Sequence, residues 1–118
     1  MNRKFLIAGF FLMLIACDDI LETDITKDKI VLRTPSDELS TTETELLFWW
    51  ESLDGASSYQ VLITAPDFEN PTALLLDSTV TADRLVLTLP VGDCEWCVRG
   101  KNSAYETAYT CRKLHITN

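Results

Sequence analysis

The chain has 118 residues, 47% of them hydrophobic, and carries a formal net charge of −8. This length suits one domain with a single core rather than two domains. The 18 Asp and Glu residues outnumber the 10 Lys and Arg residues, which argues against nucleic acid as a partner because phosphates attract a surplus of cations. The same balance argues against electrostatic adsorption to an anionic membrane, and solubility alone would explain it equally well.

The first 16 residues have the features of a secretory signal peptide. Arg3 and Lys4 form a short basic start, residues 5–16 carry no charge, and the small residue Ala16 stands directly before Cys17. Twelve helical residues span about 18 Å, which is too short for a hydrocarbon core of about 30 Å. We therefore expect an exported protein that is cleaved in front of Cys17.

A signal peptide whose cleavage site is directly followed by a cysteine resembles the signal of bacterial lipoproteins. That resemblance implies a permanent membrane anchor, made of acyl chains such as palmitate, on Cys17. The alternative is an ordinary secreted protein in which Cys17 is incidental. Residues 18–28 are polar and acidic without any apolar period, and residues 17–28 are expected to form a lipidated tether.

Two acidic residues, Asp18 and Asp19, directly follow Cys17. Acidic residues in this place resemble the surface-export signal of Bacteroidetes-type lipoproteins, which implies a location on the exterior of the outer membrane. In enterobacterial lipoproteins an Asp here would instead imply retention at the inner membrane. The third alternative is that these acidic residues only keep the tether solvated and do not signal any location.

From Lys29 onward, short β-rich runs alternate with turn residues. Seven strands are expected, at about ten-residue spacing: residues 30–32, 46–51, 59–65, 74–76, 84–89, 94–99 and 109–116. This pattern predicts an all-β sandwich over residues 29–118. No segment has a sustained 3.6-residue apolar period, so no substantial helix is expected. Alternation along the second strand turns Phe48 and Trp50 toward the core and Trp49 outward.

Three motifs follow one another at set distances: residues 48–51 (FWWE), 55–61 (GASSYQV) and 92–99 (GDCEWCVR). Together they resemble a fibronectin type III-like domain of bacterial surface lipoproteins, which implies a seven-stranded immunoglobulin-like sandwich. Cys94 stands where that pattern has a tyrosine. The resemblance covers residues 29–118 and says little about function.

The last hairpin predicts a disulfide. With its turn centred near Ala104, three pairs are expected to face each other: Glu95 with Lys113, Cys97 with Cys111, and Arg99 with Tyr109. An exported domain lies where disulfides form, so Cys97 and Cys111 are expected to be bonded. The same register places Arg112 opposite Trp96 on the core face, an unfavourable position for a charge.

Cys94 is then left as a free, buried thiol. The CxxC spacing of Cys94 and Cys97 is typical of redox and zinc sites, but on a strand these two positions point to opposite faces. His115 is the single histidine and is expected to be an exposed strand residue. No zinc ligand set or Gly-x-Ser-x-Gly motif accompanies it, so no metal, cofactor or catalytic residue is expected. The number of Asp and Glu residues alone does not exclude a pair of carboxylates for glycoside hydrolysis, although so small a sandwich leaves little room for a cleft.

Outward aromatic residues are the binding candidates. Trp49 is the first, Tyr109 is the second on the opposite sheet, and Tyr105 lies in the last turn; such rings stack on sugars or anchor protein partners. The alternative to a binding role is that the linker or the first strand covers Trp49. We expect a non-enzymatic surface lipoprotein that serves as a protein-interaction or accessory module of an envelope complex. The alternative function is glycan binding.

Overall fold

The computed structural model describes residues 21–118, and within this range it contains strands, turns and no helix. Eight strands follow one another along the chain: β1 (Leu32–Thr34), β2 (Leu39–Thr41), β3 (Glu45–Trp50), β4 (Ser58–Ala65), β5 (Ala73–Val80), β6 (Arg84–Thr88), β7 (Gly92–Lys101) and β8 (Thr110–Ile116). The predicted all-β fold class is confirmed.

The strands form two sheets that pack face to face. The smaller sheet has the order β1-β3-β6, and the larger one has the order β2-β8-β7-β4-β5. Seven of the eight strands correspond to predicted ones, and β2 is the additional strand. It has only three residues and pairs in parallel with β8, so that Leu39 lies opposite Leu114. A strand this short has too few residues to show a period, which explains why the expected number was seven.

The core lies between the two sheets and is built by the predicted alternation. Phe48 and Trp50 are fully buried, as are Val61 and Ile63 on β4. Side chains from the two sheets interdigitate there, and the rings of Phe48 and Trp96 meet edge to face with centroids 5.1 Å apart. The inward residues of β3, β4 and β7 therefore form one continuous core.

Tyr59 on β4 ties the core to the connection between β3 and β4. Its ring packs edge to face against Trp50, with centroids 5.7 Å apart. Its hydroxyl oxygen accepts a hydrogen bond of 3.0 Å from the backbone N–H of Leu53. Tyr59 is thus buried, and its polar end is satisfied.

The predicted register of the β7–β8 hairpin is confirmed. Glu95 pairs with Lys113 and Cys97 with Cys111. Trp96 also pairs with Arg112, as expected. The unfavourable charge is resolved because the Arg112 guanidinium reaches the edge of the sandwich. There it donates hydrogen bonds of 2.8–3.2 Å to three backbone carbonyls, those of Leu32, Arg33 and Pro35.

The described part of the predicted tether is not entirely solvated. Ile25 is fully buried, whereas the sequence pattern assigned it to a polar linker. The acidic neighbours Glu22, Asp24 and Asp28 are exposed, as expected. The division of the chain into signal peptide, tether and domain stays a prediction, but Glu22, Thr23 and Ile25 of the predicted tether contact the sandwich.

Strand β5 forms one edge of the larger sheet and pairs only with β4 among the described strands. Leu75 is an extra residue in this pairing, because Ile63 lies opposite Leu76 and the next residue, Thr64, lies opposite Leu74. This β-bulge bends the strand near its beginning. Within residues 21–118, the regular part, Leu76 to Val80, has a partner strand on one side of its backbone only.

Candidate functional site

Trp49 lies on the outer surface of the smaller sheet, as predicted. Its neighbours Phe48 and Trp50 are fully buried, and successive strand residues point to opposite faces. Trp49 pairs with Arg84 on β6. The indole is half-buried rather than free in solvent.

Two arginine side chains cover much of the Trp49 ring. The guanidinium carbon of Arg33 lies 5.7 Å from the ring centroid and that of Arg84 lies 5.4 Å from it. They extend from β1 and β6, the strands that flank β3 on either side. These are cation–π distances, so the ring is already engaged by two groups of the same domain.

Each of these arginines also has a carboxylate partner. Arg33 lies 3.2 Å from a Glu51 oxygen, and Arg84 Nε lies 3.0 Å from an Asp83 oxygen. The hydrogen bond from Arg84 lowers the pKa of the Asp83 carboxyl below its usual range. The charges around Trp49 therefore balance locally, although the chain as a whole is acidic.

Exposed apolar side chains surround this cluster. Val31 is 48% exposed, Leu47 is 40% exposed and Val86 is 59% exposed. Leu47 and Val86 are directly opposed on β3 and β6. We call the outer surface of the smaller sheet the Trp49 face, defined by six residues: Val31, Arg33, Leu47, Trp49, Arg84 and Val86.

Tyr109 lies on the other side of the molecule, at the outer surface of the larger sheet. Its ring contacts Phe68 edge to face with centroids 5.4 Å apart, and the Arg99 guanidinium carbon lies 4.7 Å from its centroid. The predicted pairing of Arg99 with Tyr109 is therefore present. Burial is the main cause that raises the pKa of the Tyr109 hydroxyl above its usual range. Trp49 and Tyr109 cannot belong to one flat binding surface.

A hydrogen-bonded chain of side chains holds Arg99 in place. Its Nε and Nη2 donate to the amide oxygen of Gln60, and its Nη1 donates to Glu106 at 2.9 Å. The Gln60 amide group in turn donates to Asp77 at 2.9 Å. With these partners Arg99 is fixed over Tyr109, and little of its charge is left for a ligand.

Tyr105 lies at a third place, in the connection between β7 and β8. It is half-buried, and its backbone N–H donates to the Asn102 side chain at 2.8 Å. The three aromatic binding candidates therefore do not come together.

The disulfide between Cys97 and Cys111 is present, with sulfur atoms 2.06 Å apart. Cys97 is fully buried although it faces outward. On the same face of β7, the β4–β5 connection approaches Glu95, and the Phe68 N–H donates to its carboxylate at 2.8 Å. Glu95 lies close to both sulfur atoms. Two disulfide sulfurs offer no thiolate, so this cluster is not a metal site.

Cys94 is a free and buried thiol on the core side of β7, 3% exposed. Burial raises its pKa to about 11, and the nearby Asp93 adds to the effect. At neutral pH the thiol is protonated. Cys94 therefore acts as a small apolar core residue rather than as a nucleophile.

His115 has contacts that the sequence did not indicate. Its Nδ1 lies 2.9 Å from an Asp93 oxygen, and its Nε2 lies 2.8 Å from a Glu38 oxygen. These two hydrogen bonds, Glu38 first, raise the pKa of the imidazole above 6.5. The residue is half-exposed and links β8 to β7 and to the turn before β2. Glu38 is 77 residues away in the chain and Asp93 is 22 residues away, so no local sequence pattern predicts these contacts.

Cys17, Asp18 and Asp19 lie outside the described residues. Within residues 21–118 no helix is long and apolar enough to cross a membrane.

Comparison with known proteins shows the fold. No family model matches the chain, and no curated protein matches it. Among solved structures, it is similar to fibronectin(III)-like modules of Clostridium thermocellum CbhA, with a TM-score of 0.56 and 10% identity over 75% of this chain and 95% of that one. It is also similar to the fn3 domain of the human collagen alpha-1(XX) chain, with a TM-score of 0.56 and 17% identity over 74% of this chain and 84% of that one.

A third similar structure is the sulfur carrier protein SoxY from Chlorobium limicola f thiosulfatophilum, with a TM-score of 0.50 and 14% identity over 94% of this chain and 99% of that one. At such identities a likeness shows the fold alone. The expected fibronectin type III-like sandwich is confirmed.

Proposed function

We propose that the chain is a non-enzymatic lipoprotein, anchored in the outer membrane through Cys17, whose domain binds a protein partner through the Trp49 face. The anchor is supported by the basic start, the uncharged run and the cysteine after Ala16. Binding through the Trp49 face is supported by one observation. Three apolar side chains, each at least 40% exposed, surround a tryptophan on the same sheet surface: Val31, Leu47 and Val86. Exposed apolar side chains gathered on one surface, here with Leu47 and Val86 directly opposed, are typical of interaction sites.

A protein partner suits this surface better than a glycan does. Sugar rings stack on an open aromatic face, but Arg33 and Arg84 already lie over the Trp49 ring. Tyr109 is engaged in the same way by Phe68 and Arg99. Tryptophan and arginine surrounded by apolar contacts are instead the residues that dominate binding energy at protein interfaces.

The proposal of a non-enzymatic domain is supported by the fold and by the state of its reactive groups. Fibronectin type III-like domains are generally binding modules rather than catalysts. Cys94 is buried and protonated, and both ring nitrogens of His115 contact carboxylates. Neither residue is therefore free to act as a nucleophile or a base.

The anchor is tested by membrane fractionation of cells that produce the C17S variant. The unlipidated protein should move from the membrane fraction to the soluble fraction, because its apolar residues are mostly buried in the domain. A variant that still sediments with membranes would contradict lipid attachment at Cys17.

The binding surface is tested by photocrosslinking in intact cells, with a photoreactive amino acid placed at Val86. A discrete crosslinked protein should appear and should disappear in the W49A variant. The Y109A variant is the matched control on the opposite face and should keep the crosslink. Both variants should keep the wild-type melting temperature within a few degrees.

Glycan-array binding by the purified domain, lost in W49A, would support the glycan alternative and contradict the protein partner. Unfolding of the domain by W49A would show that Trp49 is a structural residue. The proposed surface would then lose its central contact.

A further inference from the structure

The segment that leads from the lipidation site into the domain is fixed to one end of the sandwich. Ile25 is fully buried and packs against Gly55 in the β3–β4 connection. A Cβ atom at Gly55 would lie only 2.9 Å from Ile25 Cγ2, and the backbone there has a φ of +93°. Glycine is thus required both by the backbone conformation and by the space that Ile25 occupies.

Hydrogen bonds hold the same segment from a second side. The Asn102 amide group donates to the backbone oxygens of Thr23 and Gly55, both at 2.9 Å. The Ser103 hydroxyl donates to the Glu22 carboxylate at 2.7 Å. The backbone N–H of Asp28 closes a turn by donating to the oxygen of Ile25 at 3.0 Å. The segment is therefore attached by an apolar contact and by polar contacts from two different connections.

These contacts all lie at one end of the strands. β3 ends at Trp50 and β7 ends at Lys101, whereas β4 and β8 begin there. We call this end, formed by residues 51–57 and 102–109, the anchor pole. The opposite end, formed by residues 66–72, residues 89–91 and the C-terminus, is called the distal pole. The ten residues of β7 run between them, which corresponds to about 33 Å at 3.3 Å per residue.

The chain between the lipidation site and the first fixed contact is short. Five residue steps separate Cys17 from Glu22, and even a fully extended chain of that length spans at most about 18 Å. A lipid on Cys17 must therefore lie within this distance of the anchor pole. The distal pole lies about another 33 Å away along the strands.

We propose that the fixed segment 22–30 orients the domain on the membrane, with the anchor pole facing the lipid surface and the distal pole facing away. This inference rests on the proposed lipid anchor at Cys17. It means that the partner of the Trp49 face approaches from the side and close to the lipid surface, since that face runs along the strands and its Trp49–Arg84 pair lies next to the anchor pole.

The surface charge of the domain does not produce this orientation. The exposed carboxylates of the fixed segment and the anchor pole outnumber the two exposed lysines there, Lys27 and Lys29, and carboxylates are repelled by anionic headgroups. These carboxylates belong to Glu22, Asp24, Asp28, Glu51, Asp54 and Glu106. Without the fixed segment the domain would turn freely about its attachment. Orientation therefore depends on the contacts of Ile25 and Asn102.

The test uses the native lipidated protein in liposomes that contain an energy-acceptor lipid. A donor dye is attached either at A104C, on the anchor pole, or at V91C, on the distal pole. Both positions are exposed, and both variants carry C94A so that only one thiol can react. Energy transfer to the membrane should be clearly higher from position 104 than from position 91, because the two positions differ in height by about 30 Å.

Two further variants separate fixed attachment from simple proximity. I25D should release the segment and remove the difference between the two dye positions. An insertion of about 20 Gly and Ser residues between Asp19 and Ile20 leaves the domain and its docked segment intact. It adds a flexible coil of about 25 Å, and it should also remove the difference.

The outcomes distinguish the two proposals. Transfer from neither position means that the chain is not on the membrane and refutes the lipid anchor. Equal transfer from both positions in the protein without the insertion means that it is anchored but not oriented, and refutes the orientation alone. If the difference in energy transfer between positions 104 and 91 persists in the insertion variant, the orientation by the fixed segment is refuted as well.

Discussion

The disulfide between Cys97 and Cys111 should be a major source of stability for this small domain. The two cysteines are 14 positions apart, so the bond closes a loop of about 15 residues in the unfolded chain. In the chain-entropy treatment, a loop of that size stabilises the native state by about 3 kcal/mol. The C97A/C111A double variant should lose about this amount of unfolding free energy.

The loss can be measured by urea unfolding and by thermal unfolding of the unlipidated domain. For a domain of this size, about 3 kcal/mol corresponds to a decrease in melting temperature of about 12–24 °C. The slope of the urea transition should increase, because an unfolded chain without the bond exposes more surface. C94A is the matched control, since it removes a buried cysteine of the same strand outside the bond.

A decrease of less than about 1 kcal/mol in the double variant would refute this reasoning. It would mean that the unfolded chain is already restricted in this region, so that the bond removes little entropy. An equal decrease in C94A would point to a general loss of packing in β7 instead of loop closure.

Three further predictions concern single side chains. The pKa of His115 is raised above 6.5 in the folded protein. The contribution of His115 to the free energy of unfolding should therefore be fully present below the pKa that it has in the unfolded chain. This contribution should be lost as the pH rises through the pKa that it has in the folded protein. The melting temperature of H115Q should therefore fall below wild type at pH 6 and approach it at pH 9. R112M leaves three backbone carbonyls without their donor and should cost at least about 2 kcal/mol in urea unfolding, whereas a change below about 0.5 kcal/mol would contradict the assigned contacts. Cys94, with a pKa of about 11, should resist iodoacetamide at pH 8 in the native protein. Intact mass should show one alkylated thiol only after unfolding, and rapid native labelling would show that the thiol is accessible.

Local alternation predicted the parts of the fold that depend on neighbouring residues. The order Phe48-Trp49-Trp50 assigned two aromatic residues to the core and one to the surface, and the burial pattern agrees. The turn centred near Ala104 set the β7–β8 register and with it the disulfide, because the position of a hairpin turn determines which residues face each other. Both conclusions needed only residues that are close in the sequence.

Contacts between distant segments were not predictable in this way. Ile25 stands between the polar residues Asp24 and Thr26 without any apolar period, and its burial depends on the space that Gly55, 30 residues later, leaves open by having no side chain. The covering of Trp49 by Arg33 and Arg84 depends on which strands flank β3. A sequence pattern predicts that a side chain points away from the core, but it does not predict which residues contact that side chain on the surface.

The open edge of β5 has a consequence for how copies of this domain behave when they are crowded. The regular part of β5 carries one charge, Asp77, and among the described strands only β4 pairs with it. Two copies that paired their β5 edges about this residue would bring two carboxylates together, and the bulge at Leu75 would bend the strands away from each other. The charge of Asp77 and the bulge at Leu75 therefore both disfavour edge-to-edge pairing of two copies, which matters more as the density of neighbouring molecules rises.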